Sequence, residues 1–130
     1  MSKPTTIPGD HAILVAEDSS DQRALYVEIL AGAGYRVLEA SDGEMAVAIV
    51  RKERPRLVLM DVTMPGISGW NAVRTLKEDP DTMAIPIIVI TGLVGTSDRD
   101  ASLASGADHH LAKPVPPLQL LTEIRKFLPR

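Results

Sequence analysis

Leu57-Val58-Leu59-Met60-Asp61-Val62-Thr63-Met64-Pro65-Gly66 is the stretch on which the fold turns. A run of large apolar residues from Leu57 to Met60 fits a strand buried on both faces. It ends abruptly in a carboxylate, and a proline–glycine turn follows. Asp61 then stands at the mouth of the strand, where an open α/β sheet keeps its binding crevice. An aspartate in this place can equally well cap a helix or a turn. The other strand ends decide between the two.

Composition narrows the classes before they do. A chain of 130 residues suits one domain, long enough to bury roughly two thirds of its unfolded surface. Aromatic residues make up only 3%, too few for base-stacking surfaces, and a net charge of −3 offers no basic footprint. Direct nucleic-acid binding is not expected. Cysteine is absent, which excludes disulfides and thiolate metal sites. No apolar run approaches membrane-spanning length and the N-terminus has no signal-peptide core, so a soluble, cytoplasmic protein is expected.

Outward from the central stretch, the chain alternates. Residues 1–10, rich in proline and small polar side chains, read as a loose leader, and the domain runs over 11–130. His11 to Ala16 is a buried strand ending in Glu17-Asp18. Ser19, Ser20 and Asp21 offer cap oxygens to a helix carrying Leu25, Tyr26, Ile29 and Leu30 and stopped by Gly32 and Gly34. Tyr35 to Ala40 is a strand. Ser41 and Glu44 have capping-box spacing for a helix with Met45, Val47, Ala48 and Ile49. That helix closes in the basic run Arg51 to Arg56, broken by Pro55.

Beyond Gly66 the spacing gives a helix over Ser68 to Asp79 and a strand over Pro86 to Ile90 that ends at Thr91. A weakly apolar, shallowly anchored helix follows from Thr96 or Ser97 to about Ser105. His109 to Ala112 is the fifth strand, ending at Lys113-Pro114. Pro117 opens a last helix with a stripe of Leu120, Leu121, Ile124 and Leu128. Repeated β–α units with short connections specify an α/β domain, a doubly wound parallel sheet of order 2-1-3-4-5. Right-handed crossovers carry the C-terminal ends of all its strands to one rim.

On that rim the polar residues converge: Glu17 and Asp18 after the first strand, Asp61 after the third, Thr91 after the fourth, Lys113 after the fifth. Clustered carboxylates repel and raise one another's pKa unless a cation neutralises them. Oxygen-only donors favour a hard ion such as Mg²⁺. A carboxylate beside Mg²⁺ can attack a phosphoryl group and become an acyl phosphate, with an ammonium and a hydroxyl stabilising the transferred oxygens. Asp61, central in strand order, is the best nucleophile.

Glu17-Asp18, Asp61-Val62-Thr63-Met64-Pro65-Gly66, Thr91 and Lys113-Pro114 together resemble the receiver domain of two-component response regulators, over essentially the whole chain after the leader. The resemblance implies a flavodoxin-like (βα)5 fold. It implies Mg²⁺-dependent transfer of a phosphoryl group to Asp61 from a sensor histidine kinase or a histidine phosphotransfer domain. Glu17, Asp18 and Asp61 would hold the metal with the backbone carbonyl of Thr63, Thr91 and Lys113 would bind the phosphoryl group, and the bond before Pro114 would be cis. Such a protein catalyses its own phosphorylation and slow autodephosphorylation without turning over an external substrate. The face made by the fourth helix, fifth strand and fifth helix would meet a downstream effector. Weak homodimerisation through that face is compatible with the family and has no residue pattern behind it.

Two positions depart from the family's habit. His110 stands where an aromatic ring usually couples to the threonine, so the Thr91–His110 switch is expected to be weaker or pH-sensitive, because imidazole changes charge near neutral pH. Gly92 lacks a Cβ beside Thr91 and should leave the phosphoryl site open to donors and to water. Other readings compete. A phosphorylation-independent receiver-fold interaction module would have lost one of the five rim residues. A flavin-type cofactor binder needs a Ser/Thr/Gly phosphate loop where Glu17-Asp18 stand. A phosphohydrolase with an aspartate nucleophile needs a second aspartate at position 63. The chain is either a stand-alone receiver or one excised from a larger regulator.

Overall fold

The computed structural model describes residues 12–62, 69–92 and 106–128. Within them lie β1 (Ala12–Ala16), α1 (Ser20–Gly32), β2 (Arg36–Ala40), α2 (Gly43–Glu53), β3 (Leu57–Asp61), α3 (Gly69–Glu78), β4 (Ile87–Thr91), β5 (His109–Ala112) and α4 (Pro117–Phe127). The strands form one parallel sheet in the order β2-β1-β3-β4-β5. The expected leader, the turn at 63–66 and the helix at 96–105 lie outside the described residues, as does His11.

Burial follows strand position. Every residue of β1, β3 and β4 is buried, whereas the edge strands β2 and β5 are partly exposed. Alternate residues of each central strand serve opposite faces. Leu14, Val58, Met60 and Val89 pack with Ala46 and Val50 of α2 and Ala72, Val73 and Leu76 of α3. Ile13, Val15, Leu57, Leu59, Ile88 and Ile90 pack with Tyr26 and Leu30 of α1 and Leu120 and Ile124 of α4. Two cores of similar make-up thus hold the sheet rigid between helical layers, which fixes its C-terminal rim.

Helix ends show where local chemistry differs from the sequence expectation. Ser19 caps α1 by accepting the Gln22 N–H. For α2 the cap is Asp42, whose Oδ1 accepts the Met45 N–H at 2.8 Å, and not Ser41 with Glu44. β2 runs through Ala40, and the extended Asp42 is the residue whose carboxylate reaches the third helical amide. The same one-residue shift turns α2: Gly43, Ala46 and Val50 face the core, Val47 and Ile49 sit at its margin, and Met45 is exposed. Leu25 of α1 is exposed too, leaving Tyr26 and Leu30 as that helix's buried pair. Arg54 closes α2 in a left-handed conformation, φ 50°, because Pro55 forbids another helical turn.

α3 buries Gly69, Ala72, Val73 and Leu76, a helical i, i+3, i+4, i+7 face, while Trp70 packs half-buried at the edge of that core. Lys77 belongs to no apolar stripe. Its ammonium donates to the Met83 and Ile85 carbonyls at 3.0 and 2.8 Å and pairs with Asp108 at 2.7 Å. Asp108 in turn accepts the Ile87 N–H, so this lysine ties α3 to the starts of β4 and β5. Gly106 makes the turn there at φ +91°.

Candidate functional site

Parallel strands deliver Glu17, Asp61, Thr91 and Lys113 to one rim because each lies at or just beyond the end of its own strand. Ladder bonds continue one step past the strands and fix the rim's backbone. The Glu17 N–H donates to the Ala40 carbonyl at 2.9 Å, Val62 to Ile90 at 3.1 Å, and Lys113 to Thr91 at 2.8 Å. Glu17, Asp61 and Thr91 are all 2% exposed, whereas Asp18 faces solvent.

Carboxylate oxygens of Glu17, Asp18 and Asp61 all lie within 4.8 Å of one another. Lys113 Nζ stands 2.8 Å from Asp61 Oδ2 and 3.6 Å from Glu17 Oε1. The Ser19 N–H donates to Glu17 Oε2 at 3.1 Å, but Glu17 Oε1 is buried without a hydrogen-bond partner. Burial first, then its hydrogen bond and repulsion with Asp61, push the Glu17 carboxyl up to about 8, against the opposing pull of the Ser19 amide. Burial acts to lower the Lys113 pKa, yet the hydrogen bond and charge of Asp61, with Glu17 added, outweigh it and the net shift is upward. One ammonium thus does not hold both buried carboxylates in their ionised forms.

A divalent cation fits the imbalance. Three hard oxygen donors within reach, one of them buried and unsatisfied, suit an ion that keeps water on its remaining positions. Thr63, the fourth expected ligand, lies outside the described residues. Thr91 ends β4 in register with Ala112, and the Lys113–Pro114 peptide is cis. His110 is half-buried on β5 opposite Val89, on the other side of the strand from His109. His109 pairs through Nε2 with Glu123 Oε1 at 3.1 Å and its ring sits 6.4 Å from that of Phe127. Gly92 is exposed, and a Cβ there would meet Lys113 Cδ at 3.7 Å, an ordinary contact. Beside it opens a groove of about 370 Å³ lined by Leu25, Tyr26, Ile29, Lys113 and Val115.

Sequence reasoning missed Arg23. Its guanidinium Nη1 donates to the Glu17 carbonyl at 2.7 Å and Nε donates to Glu39 Oε1 at 3.0 Å. One signal was present: a cation in the N-terminal half of a helix opposes the macrodipole, and something outside the helix must hold it there.

A doubly wound parallel sheet of this order, with an acidic cluster and a lysine on its C-terminal rim, defines a CheY-like α/β domain. The chain belongs to the response regulator receiver domain family, whose model matches residues 13–125. It is 38% identical over 116 residues to protein PilH of Pseudomonas aeruginosa, covering 89% of this chain and 96% of that protein. It is 39% identical over 115 residues to the response regulator PleD of Caulobacter vibrioides, covering 88% of this chain and 25% of that protein. Several of the curated relatives are therefore much longer, and the chain spans from a quarter to about half of their length. The chemotaxis protein CheY4 of Vibrio cholerae superposes with a TM-score of 0.86 at 30% identity, covering 91% of this chain and 98% of that one. The receiver domain of a sensor histidine kinase from Pseudomonas aeruginosa PAO1 superposes at 0.85 with 28% identity, covering 92% and 98%. That structure has a magnesium ion coordinated in its active-site cleft. Receiver domains of this family act in two-component signalling, where phosphoryl acceptance is their general function and histidine kinases and effectors are their partners. Among the described residues, no helix is long and apolar enough to cross a membrane.

Proposed function

We propose that this receiver accepts a phosphoryl group on Asp61 from the phosphohistidine of a sensor kinase or a phosphotransfer domain. The observation that carries the reading is the buried Asp61 carboxylate, 2.8 Å from Lys113 and inside a cluster of three carboxylates. An Asp61 oxygen attacks phosphorus, the P–N bond breaks, and its electron pair stays on the imidazole nitrogen; the proton retained on the ring's other nitrogen makes the departing imidazole neutral. The product is an acyl phosphate. Glu17, Asp18, Asp61 and the Thr63 carbonyl would hold Mg²⁺, which when bound supplies positive charge beside the transferring oxygens.

The remaining work falls to side chains. Lys113 exchanges its contact with Asp61 for one with a phosphoryl oxygen, and the Thr91 hydroxyl donates to another. Movement of Thr91 toward the phosphoryl group is coupled to His110 on β5, and the face that includes β5 and α4 presents the change to an effector. Water reaching the acyl phosphate past Gly92 reverses the modification.

The deciding experiment is incubation with Mg²⁺ and acetyl phosphate, or with beryllofluoride as a mimic, read by intact mass. The expected result is one phosphoryl group on the wild type and none on Asp61→Asn. An unmodified wild type would leave a phosphorylation-independent interaction module as the better reading. Comparing effector affinity of the phosphorylated chain at pH 6 and pH 8 tests whether the switch is pH-sensitive; equal affinities remove the pH dependence.

A further inference from the structure

The acidic cluster has a support that the chemistry above does not use. Arg23 reaches back from the first turns of α1 to the chain segment that bears the acidic residues. Its Nη1–H donates to the Glu17 carbonyl at 2.7 Å, and its Nε–H donates to Glu39 Oε1 at 3.0 Å, anchoring the fork on β2. We infer that Arg23 is a positioning residue for the cation ligands, a proposal that rests on the Mg²⁺ reading of the site.

The Glu17 carbonyl, the Asp18 nitrogen and the Asp18 Cα share one rigid peptide plane. Holding the carbonyl oxygen therefore sets where Asp18 Cα stands and the direction in which its carboxylate leaves the chain. Asp18 needs such help because it is the exposed member of the cluster, with no core packing of its own. Its neighbours are already tethered: the Glu17 N–H to Ala40 and the Ser19 N–H to Glu17 Oε2. The Arg23 bond completes the restraint on the one peptide between the two rim carboxylates. A surface ion pair with Glu39 alone would contribute little, since Glu39 is half exposed. The bond to the main-chain carbonyl is charge-assisted and fixed by the planar fork, which a lysine does not reproduce.

The sign of the effect separates positioning from charge. A guanidinium near the cluster repels a divalent cation through space, so a field alone predicts tighter Mg²⁺ binding when it is removed. Positioning predicts weaker binding, on the scale of about tenfold typical for groups that orient metal ligands. The test is Mg²⁺ titration by calorimetry on the full chain, with thermal melts of the metal-free proteins alongside. Arg23→Lys keeps the charge and the aliphatic stem but loses the fork; Arg23→Met keeps the stem alone. Both should bind Mg²⁺ about tenfold more weakly while their melting points stay close to wild type. Wild-type affinity in Arg23→Lys, or tighter binding in Arg23→Met, overturns the assignment to Arg23 and leaves the metal site standing. A wild type that binds no Mg²⁺ overturns the metal site and the Arg23 assignment with it.

Discussion

On the proposed reading, Lys113 and a divalent cation would compete for the same oxygens, and the distances set the scale of the effect. With Nζ 2.8 Å from Asp61 Oδ2 and 3.6 Å from Glu17 Oε1, the ammonium already neutralises part of the cluster. Two unit charges about 4 Å apart interact by about 4 kcal/mol at an effective dielectric of about 20. Even a third of that is about tenfold in affinity. Lys113→Met should therefore bind Mg²⁺ several-fold to about tenfold more tightly by calorimetry; weaker binding would mean that the lysine organises the carboxylates rather than competing for them. Gly92 tests access instead of charge. A single Cβ fits there against Lys113 Cδ at 3.7 Å, so the branched side chain of Gly92→Val should extend over the rim without displacing the lysine. Its acyl phosphate is expected to outlast that of the wild type when decay is followed by intact mass, and an unchanged lifetime would refute the access argument. At this scale the sequence was informative about which residues end strands, because a carboxylate or lysine after an apolar run is visible in the pattern. For Arg23 it offered only a cation set against the helix dipole, and not its partner, a main-chain carbonyl that no pattern of side chains reveals.

At the scale of elements, the placement of Asp61 depends on how closely α3 approaches β3. A Cβ on Gly69 would lie 2.7 Å from Val62 Cα and 2.8 Å from the Asp61 carbonyl oxygen, so the first residue of α3 rests directly on the backbone that follows the rim aspartate. These contacts are main chain and cannot swing aside. Gly69→Ala should cost about 1–3 kcal/mol in denaturant unfolding, the usual range for overpacking, and should also weaken Mg²⁺ binding by shifting Asp61. A stability loss with unchanged Mg²⁺ affinity would show that the strain is absorbed within α3. The elements themselves were legible from alternation and punctuation: apolar runs gave β1, β3 and β4, and Pro55, Pro80 and Pro117 marked helix limits. The face of α2 was not. Ser41 and Asp42 are both good caps, and the choice between them rests on where β2 releases the chain, a tertiary matter. A one-residue error in the cap rotates a helix by about 100°, enough to exchange Met45 for Ala46 in the core.

For the whole molecule, the sheet order followed from the repeated β–α pattern, since short connections and one crossover hand leave few alternatives. What the pattern did not carry is the energetic tension between folding and the rim. The Glu17 carboxyl, ordinarily near 4.5, is pushed up to about 8 in the metal-free fold, mainly by burial and then by Asp61. Between those values the folded chain binds more protons at this position than the unfolded chain does. Stability of the metal-free protein must then fall as pH rises through that window, since this contribution is fully present only below the unfolded value. A bound cation reverses the balance, because it takes the ionised carboxylate and displaces the proton. Mg²⁺ at about a hundredfold over its Kd adds about 2.7 kcal/mol of stability wherever the site is deprotonated. Thermal melts at pH 6 and pH 8, with and without Mg²⁺, should show a metal-free melting point that drops with pH and a Mg²⁺-induced rise that is larger at pH 8. A metal-free melting point that climbs from pH 6 to pH 8, together with a Mg²⁺ effect independent of pH, would mean that Glu17 is ionised throughout and that Lys113 already suffices to hold the cluster together.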